Sequence, residues 1–402
     1  MTVIRYKTYL FIVLSSSLLL FCSNVSAQFS ISERTYKKLD KVEKLMEQKD
    51  FKEARQALEA LESSSTGRKY ELTLIYQALG YLYYESSDYP KAIDYFEKSL
   101  ALNTAPAPVL QNIRLNLIQI YAIANNFSKA IQQFETWLQK ESSPSGDELA
   151  LGGSLYAHTR EYDKAISYLT RAISSTKSPK ESWYRTLLSI HYDQKNYQAA
   201  ATLLEKLAAT YPANRQYWIQ LFSAYYLLNN YQKALSVLEL AYLNNLLEDS
   251  EEITNLAKLY IYVGTPLKAV TLLTSEIKSG RLKENEEILN LLASAYLQSQ
   301  DTEKSADVYQ QLAKMTNNPE MYLKAARLYL NGMHWEQALK VLDKVNDKTD
   351  RGQLQLMRGM ALVELEDFDK ATQAFREAQK QASTSINANQ WLKFLDAQNQ
   401  LK

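Results

Sequence analysis

The chain has 402 residues with only 10 glycines and 8 prolines, too few for the many tight turns that a large β-sheet protein needs. Hydrophobic residues make up 46% of the sequence, which excludes a disordered chain because this fraction is ample for a buried interior. The 46 Lys and Arg residues balance 45 Asp and Glu, so bulk charge gives no reason to expect binding to nucleic acid.

The first 27 residues are typical of a secretory signal peptide. Arg5 and Lys7 form a positively charged start, residues 9–21 are apolar, and residues 25–27 (Val-Ser-Ala) are small where a signal peptidase cleaves. We therefore expect an exported protein that is cleaved after Ala27. No later stretch is apolar and long enough to predict a membrane span.

The single cysteine, Cys22, lies inside this segment. The mature chain would then have neither disulfides nor thiolate chemistry, which suits an oxidising compartment. The alternative is a lipoprotein signal with the lipid attached to Cys22. Against it, the bulky Phe21 stands where a small residue is expected.

After the cleavage site, one pattern recurs almost to the C-terminus. Its clearest copy has the aromatic, Leu-Gly, Tyr, Ala and aromatic residues of a tetratricopeptide repeat at the expected offsets, namely Tyr76, Leu79, Gly80, Tyr83, Ala92 and Phe96. The small residue returns at steps of 33 to 38, at Ala54, Ala92, Ala130, Ala165, Ala200, Ala234, Ala269, Ser305, Ala338 and Ala371. Such spacing brackets the 34-residue period of this repeat class.

The predicted fold is therefore all-α: a tetratricopeptide-repeat α-solenoid, wound as a right-handed superhelix of about ten helix–turn–helix repeats. It would occupy residues 28–384 without an interdomain linker, and a helix within 385–402 would cap its end. The repeats are expected near 35–68, 73–106, 111–144, 146–179, 181–214, 215–248, 250–283, 286–318, 319–351 and 352–384.

Packing between helices is expected to depend on small residues where two helices cross and on tyrosines between neighbouring helices. A large side chain at a crossing would push the helices apart, and a buried tyrosine can keep its hydroxyl hydrogen-bonded at the edge. The predicted packing residues are Gly80, Tyr83, Ala92, Tyr121, Ala130, Gly153, Tyr156, Ala165, Ala200, Tyr225, Ala234, Tyr260, Ala269, Tyr296, Tyr329, Ala338, Gly359 and Ala371.

No group of residues in the sequence has the spacing of a catalytic or metal site. His158, His191 and His334 are isolated from one another, and no metal-ligand or phosphate-loop motif is present. We therefore expect no enzymatic activity, no metal and no cofactor.

Recognition of another protein is the chemistry that remains. First helices of such repeats are expected to line the concave face where partners dock, and tyrosine with Arg or Lys is typical of interfaces. Helical period selects Gln77, Tyr81, Tyr84, Arg185, Tyr192, Tyr226, Lys258, Tyr262 and Arg327 as candidate partner-binding residues. The alternative is that several of them pack against a neighbouring first helix.

Both ends of the chain resemble periplasmic tetratricopeptide-repeat proteins that accompany TonB–ExbB–ExbD energy-transduction systems of gammaproteobacteria. The segments that carry the resemblance are residues 35–61, 68–102, 350–378 and 388–398. The resemblance implies a non-catalytic periplasmic accessory of TonB-dependent uptake, with periplasmic segments of TonB or ExbD as partners.

Two other functions stay open. One is a scaffold for envelope assembly, in outer-membrane biogenesis, secretion or cell-wall synthesis, for which a lipid on Cys22 would supply a tether. The other is a regulator that binds a peptide or small ligand in its groove. The sequence identifies neither the partner nor the oligomeric state.

Overall fold

The computed structural model describes residues 29–345 and 350–400. The predicted signal peptide and its cysteine lie outside these residues. Within them the chain forms 21 α-helices and no β-strand, which confirms the all-α solenoid class.

Up to residue 384, helices with odd numbers are the first helices of the predicted repeats and helices with even numbers are the second, and the last helix follows the tenth repeat. They are α1 (Glu33–Glu47), α2 (Phe51–Ser64), α3 (Lys69–Glu85), α4 (Tyr89–Leu102), α5 (Ala107–Ile123), α6 (Phe127–Leu138), α7 (Gly146–His158), α8 (Tyr162–Ser175), α9 (Glu181–Asp193), α10 (Tyr197–Thr210), α11 (Arg215–Leu227), α12 (Tyr231–Leu243), α13 (Ser250–Tyr262), α14 (Pro266–Lys278), α15 (Glu286–Gln298), α16 (Thr302–Thr316), α17 (Glu320–Asn331), α18 (Trp335–Leu342), α19 (Arg351–Glu364), α20 (Phe368–Gln379) and α21 (Ser385–Gln400).

Contacts between helices divide the chain into two compact units. The first unit ends at Lys195 and contains α1 to α9, and the second begins at Asn196 and contains α10 to α21. Within each unit, every helix packs against the next one in the chain, and odd helices of successive repeats also touch, as α7 touches α9 and α13 touches α15. The boundary falls inside the predicted fifth repeat, between its two helices.

The two helices of a repeat are joined by a tight turn that the sequence specifies locally. One residue adopts a left-handed conformation, as Asn125 does at φ 58° and Asn229 at φ 55°. The next residue caps the second helix: Asn126 accepts from the Lys129 N–H at 3.3 Å, and Asn230 from the Lys233 N–H at 3.2 Å. Because Asn tolerates the left-handed region and is a strong N-cap, these turns set up helical hairpins.

Small residues lie at the crossing of the two helices in each repeat. Ala54, Ala92, Ala130, Ala165, Ala200, Ala234, Ala269, Ala338 and Ala371 all have no exposed surface. Gly80 leaves room for the Phe96 ring, since a Cβ atom on Gly80 would lie 2.7 Å from it. Ser305, the polar exception, is also fully buried and donates its hydroxyl to the Ala293 carbonyl at 2.9 Å. This hydrogen bond satisfies the serine hydroxyl, which burial would otherwise leave without a partner.

The recurring tyrosine of the first helix donates its hydroxyl to a carboxylate on the second helix of the preceding repeat. The pairs, which we call the tyrosine–carboxylate links, are Tyr121–Glu97, Tyr156–Glu135, Tyr225–Glu205, Tyr260–Glu239 and Tyr329–Asp307. The Tyr156 link measures 2.7 Å, and the Lys164 ammonium lies 4.7 Å from the centre of the Tyr156 ring. Each link therefore joins one repeat to the next.

The other predicted packing residues make contacts that differ from the tyrosine–carboxylate links. Tyr83 is 6% exposed and stacks on Tyr95 with centroids 5.4 Å apart. Tyr296 is only half-buried, with the Lys304 ammonium 5.6 Å from its ring centre. Gly153 and Gly359 are buried, each against a large side chain of the following helix, Leu169 and Phe375.

A buried carboxylate fastens the N-terminal residues to the second repeat. Glu71 is 3% exposed and accepts from the Ser32 N–H at 2.9 Å and from the Thr35 hydroxyl at 2.8 Å. Arg68 forms an ion pair with it at 3.1 Å. Burial alone would raise the pKa of Glu71, but these hydrogen bonds outweigh it and hold the pKa below its usual range.

Replacing Ala92 with Leu should destabilise the protein by about 1–3 kcal/mol, because the crossing of α3 and α4 has no space for three further carbon atoms. The matched control is Ala101→Leu, on the same helix at an exposed position, where the change should stay within about 0.5 kcal/mol. Thermal unfolding followed by circular dichroism measures both. Equal melting temperatures for the two variants would show that the crossing tolerates bulk.

Replacing Tyr156 with Phe should lower stability by about 1.5–3 kcal/mol, because it removes a hydrogen bond to a charged carboxylate. Burial, and then the bond to Glu135, raises the pKa of Tyr156. A group with a raised folded-state pKa stabilises fully below its unfolded pKa, about 10 for tyrosine, and this stability is lost as pH rises through the folded value.

The melting temperatures of the parent and of Tyr156→Phe should therefore differ at neutral pH and converge at strongly alkaline pH. The exposed Tyr36 supplies the control, since Tyr36→Phe should match the parent at neutral pH. A constant difference across the alkaline range would contradict the proposed role of the link.

Candidate protein-binding surface

The second unit has a row of four aromatic rings, two exposed and two half-buried, that crosses from one repeat to the next. Phe222 and Tyr226 lie near the end of α11, Tyr231 begins α12, and Tyr262 ends α13. Successive ring centroids along this row are 5.8, 5.4 and 4.6 Å apart. Tyr226 is 50% exposed and Tyr262 is 68% exposed. We call these four residues the aromatic ledge.

Local structure explains why the rings meet. The turn after α11 places Asn229 in the left-handed region, and Asn230 caps α12, so Tyr231 stands at the first position of the helix. The Tyr231 hydroxyl donates to the Asn229 side-chain oxygen at 2.9 Å, which fixes the ring. Tyr262 approaches it from the end of the following first helix.

The same register recurs in the first unit. The residue that begins a second helix meets the residue at the end of the next first helix, 31 positions later. Phe127 stacks on His158 at 4.5 Å, and the Tyr162 hydroxyl donates to Asp193 at 2.9 Å. Helical period did not select Phe222 or Tyr231 as candidates, and this 31-residue register is the signal that would have found Tyr231.

Two leucines close in sequence to the ledge residues are also exposed. Leu227, directly after Tyr226, is 49% exposed, and Leu267, in the first turn of α14, is 68% exposed. Large apolar side chains in water mark interaction surfaces when they are clustered rather than scattered.

The charged candidates of the second unit are engaged with neighbouring helices. Lys258 on α13 forms an ion pair with Glu287 on α15 at 2.7 Å. Arg327 on α17 donates to the Gln353 side chain on α19 at 3.0 Å. Both residues therefore link successive first helices, which is the alternative role that the sequence had left open for them.

Two of the candidates in the first unit are interior residues and present little surface to a partner. Tyr81 is 2% exposed, its hydroxyl accepts from Asn116 on α5, and its ring packs edge-on against Phe96. Tyr84 is 8% exposed. Helical period placed them on a free face, but side chains from α4 and α5 cover that face. Burial raises the pKa of both tyrosines.

The remaining candidates of the first unit keep some surface. Gln77 and Tyr192 are half-buried, and Arg185 is exposed. They lie on α3 and α9, which belong to the second and the fifth predicted repeats rather than to neighbouring ones. Their placement therefore defines no compact site of the kind that the ledge residues form.

Residues 29–345 and 350–400 show neither a metal-binding cluster nor a membrane-spanning helix. No group of three or more His, Cys, Asp or Glu residues in this part of the chain could hold a metal ion, and His191 is half-buried, with its pKa lowered by burial. No helix there is apolar over a length that could cross a bilayer.

Tetratricopeptide-repeat family models match residues 73–105, 149–182, 185–245, 288–320 and 352–384. These matches confirm the repeats, and with the helix order they define the chain as a tetratricopeptide-repeat α-solenoid. Proteins of this class bind protein partners on extended repeat surfaces and are generally non-catalytic scaffolds.

Solved structures of repeat proteins resemble the chain at low identity. The C-terminal part of a repeat protein from Cytophaga hutchinsonii is 18% identical, with 63% of this chain and 98% of that one covered and a TM-score of 0.45. A repeat protein from Parabacteroides merdae is 18% identical over 62% and 98%, with a TM-score of 0.32. YrrB, described as having an unusual peptide-binding site, is 16% identical over 48% and 96%, with a TM-score of 0.39. No curated protein matches the sequence significantly.

Two adjacent tyrosines have different environments, since one packs between helices and the other lies at the surface. Tyr225 is 3% exposed and forms a tyrosine–carboxylate link, whereas Tyr226 is 50% exposed. Tyr225→Ala should cost about 3–5 kcal/mol of stability, as buried aromatic truncations do. Tyr226→Ala should cost about 1 kcal/mol, from its ring contacts alone.

Chemical denaturation of the two variants measures both values. If Tyr226→Ala proves as destabilising as Tyr225→Ala, the ledge belongs to the core of the second unit and is not a free surface.

Proposed function

We propose that the protein is a non-catalytic scaffold that binds another polypeptide at the aromatic ledge. The observation that carries the proposal is the pair of exposed rings, Tyr226 and Tyr262, joined through Tyr231 across two repeats. Exposed tyrosines of this kind are enriched among residues that dominate binding energy. They supply a large apolar contact with few rotatable bonds to immobilise.

The ledge is also held in place before any partner arrives. Tyr225 and Tyr260, close in sequence to the exposed rings, bond Glu205 and Glu239 on preceding helices. These links fix α11 and α13, so binding needs little further ordering of the backbone. Preorganisation of this kind raises affinity because less entropy is lost on association.

We further propose that the scaffold is exported to the periplasm and serves a TonB–ExbB–ExbD system. Support comes from the signal-peptide pattern of residues 1–27, from the absence of cysteine after Cys22, and from the resemblance carried by both ends of the chain. Periplasmic segments of TonB or ExbD are the proposed partners.

Photo-crosslinking in the native cell tests both levels of the proposal. A photoreactive amino acid placed at position 226 or 262 should trap TonB or ExbD. The same amino acid at position 36, where Tyr36 is 45% exposed in the first unit, is the matched control and should not. Deletion of the gene should impair growth on chelated iron and leave growth on free iron unchanged.

The outcomes separate the two levels. Adducts to an outer-membrane assembly, secretion or cell-wall factor would support the envelope-assembly alternative and reject the TonB link. Identical adducts from positions 36, 226 and 262 would reject the ledge as the binding surface.

A further inference from the structure

Arg114 is a charged residue at a position that most other repeats fill with an apolar or aromatic side chain. It lies seven residues before Tyr121, the recurring tyrosine of the third repeat. The same position holds Tyr76 in the second repeat and Leu149 in the fourth, and all three residues are buried or half-buried. A charge at a packing position departs from the pattern of the fold, and such departures are expected at functional sites.

The guanidinium of Arg114 has no carboxylate partner among the described residues. Arg215 and Arg358, the other two half-buried arginines of that part of the chain, each form an ion pair with at least one carboxylate. Arg114 instead makes one hydrogen bond, from Nη1 to the side-chain oxygen of Gln133 on α6. Burial lowers the pKa of Arg114, as expected for a cation that loses water without gaining an anion.

The carboxylates of the neighbouring helices are all engaged elsewhere. Arg114 is the only charged residue of α5, which packs against α4 and α6. On α4, Asp94 pairs with a lysine of its own helix at 2.7 Å, and Glu97 accepts a tyrosine–carboxylate link. On α6, Glu135 accepts another such link. Because a partly desolvated cation is costly unless it is paired, we expect the missing anion to come from another molecule.

The surroundings of Arg114 suit a carboxylate better than a phosphate. A guanidinium matches a carboxylate through two parallel hydrogen bonds, and one positive charge balances one negative charge. A phosphate group carries more than one negative charge at neutral pH, and α5 supplies no second cation. The other N–H donors of Arg114 remain available, and its side chain is only half-buried, so a ligand can reach it.

We propose that Arg114 binds an aspartate or glutamate side chain of the partner polypeptide, so that the partner supplies the carboxylate that neighbouring helices do not. The identity of the ligand as a polypeptide rests on the scaffold function proposed above. The site belongs to the first unit, whereas the aromatic ledge belongs to the second.

The melting temperature of the mature chain without ligand gives the first test. Arg114→Met keeps a long side chain and removes the unpaired charge, so it should raise the melting temperature by about 2 °C or more. Arg215→Met is the matched control. It should lower the melting temperature, because it takes the ion-pair partner from the half-buried Glu252. A melting temperature of Arg114→Met at or below that of the parent would overturn the proposal.

Fluorescence anisotropy with a short labelled peptide of alternating glutamate and serine gives the second test. The same peptide with glutamine in place of glutamate is its uncharged control. The glutamate peptide should bind the mature chain saturably, and the glutamine peptide should not. Arg114→Met should raise the Kd of the glutamate peptide about tenfold or more, as loss of a charge-assisted hydrogen bond does.

Further variants separate a specific site from general attraction between charges. Arg114→Lys keeps the charge but not the planar fork of donors, so it should recover only part of the affinity. Arg55→Met changes an exposed arginine of the same unit and should leave the Kd unchanged. At constant ionic strength, acetate should displace the glutamate peptide at lower concentration than inorganic phosphate does. Circular dichroism checks that every variant is folded.

Equal binding of the two peptides, no binding of the glutamate peptide up to about 1 mM, or unchanged affinity of Arg114→Met would each overturn the proposal. Stronger displacement by phosphate than by acetate would also overturn it. These measurements use no cellular partner, so they can fail while crosslinking at positions 226 and 262 still supports the scaffold function. Conversely, failed crosslinking would reject the ledge and leave the Arg114 site standing.

Discussion

The close crossing of two helices at a residue no larger than serine is the constraint on which the rest of the structure depends. Ala92 is fully buried where α3 meets α4, and Gly80 on the opposing helix leaves space for the Phe96 ring. A larger side chain would push the helices apart, and the apolar contacts along the whole repeat would be lost. Because the crossing fixes each hairpin, it also fixes which side chains reach the neighbouring repeats.

Tyrosines have two separate roles in this protein: some bond a neighbouring helix, and others, close to them in sequence, are exposed. Tyr225 turns inward and bonds a carboxylate of the preceding helix, while Tyr226, one residue later, turns about 100° around the helix axis and meets solvent. Tyr260 and Tyr262, which are two residues apart, also divide the roles between a bonded inner tyrosine and an exposed one. The residues that stabilise the stack thus orient the residues proposed to bind the partner.

Equivalent positions in different repeats show where sequence reasoning reached its limit. Tyr84 and Tyr226 occupy the same position of their predicted repeats, and each contacts a tyrosine five residues later. Yet Tyr84 is 8% exposed and Tyr226 is 50% exposed. Periodicity identifies the helix face on which a residue lies, but exposure depends on how closely side chains from other helices cover that face.

The sequence by itself determined the helices, their pairing and the repeat length, because small residues at a period near 34 and capped turns act through neighbours close in the chain. Tertiary structure alone decided that Glu71 is buried beneath the N-terminal residues, that Lys258 and Arg327 link first helices, and that Tyr226, Tyr231 and Tyr262 form one ledge. Most of these contacts, including that of Tyr231 with Tyr262, join residues of different repeats. Their geometry depends on how the hairpins stack, which no local pattern specifies.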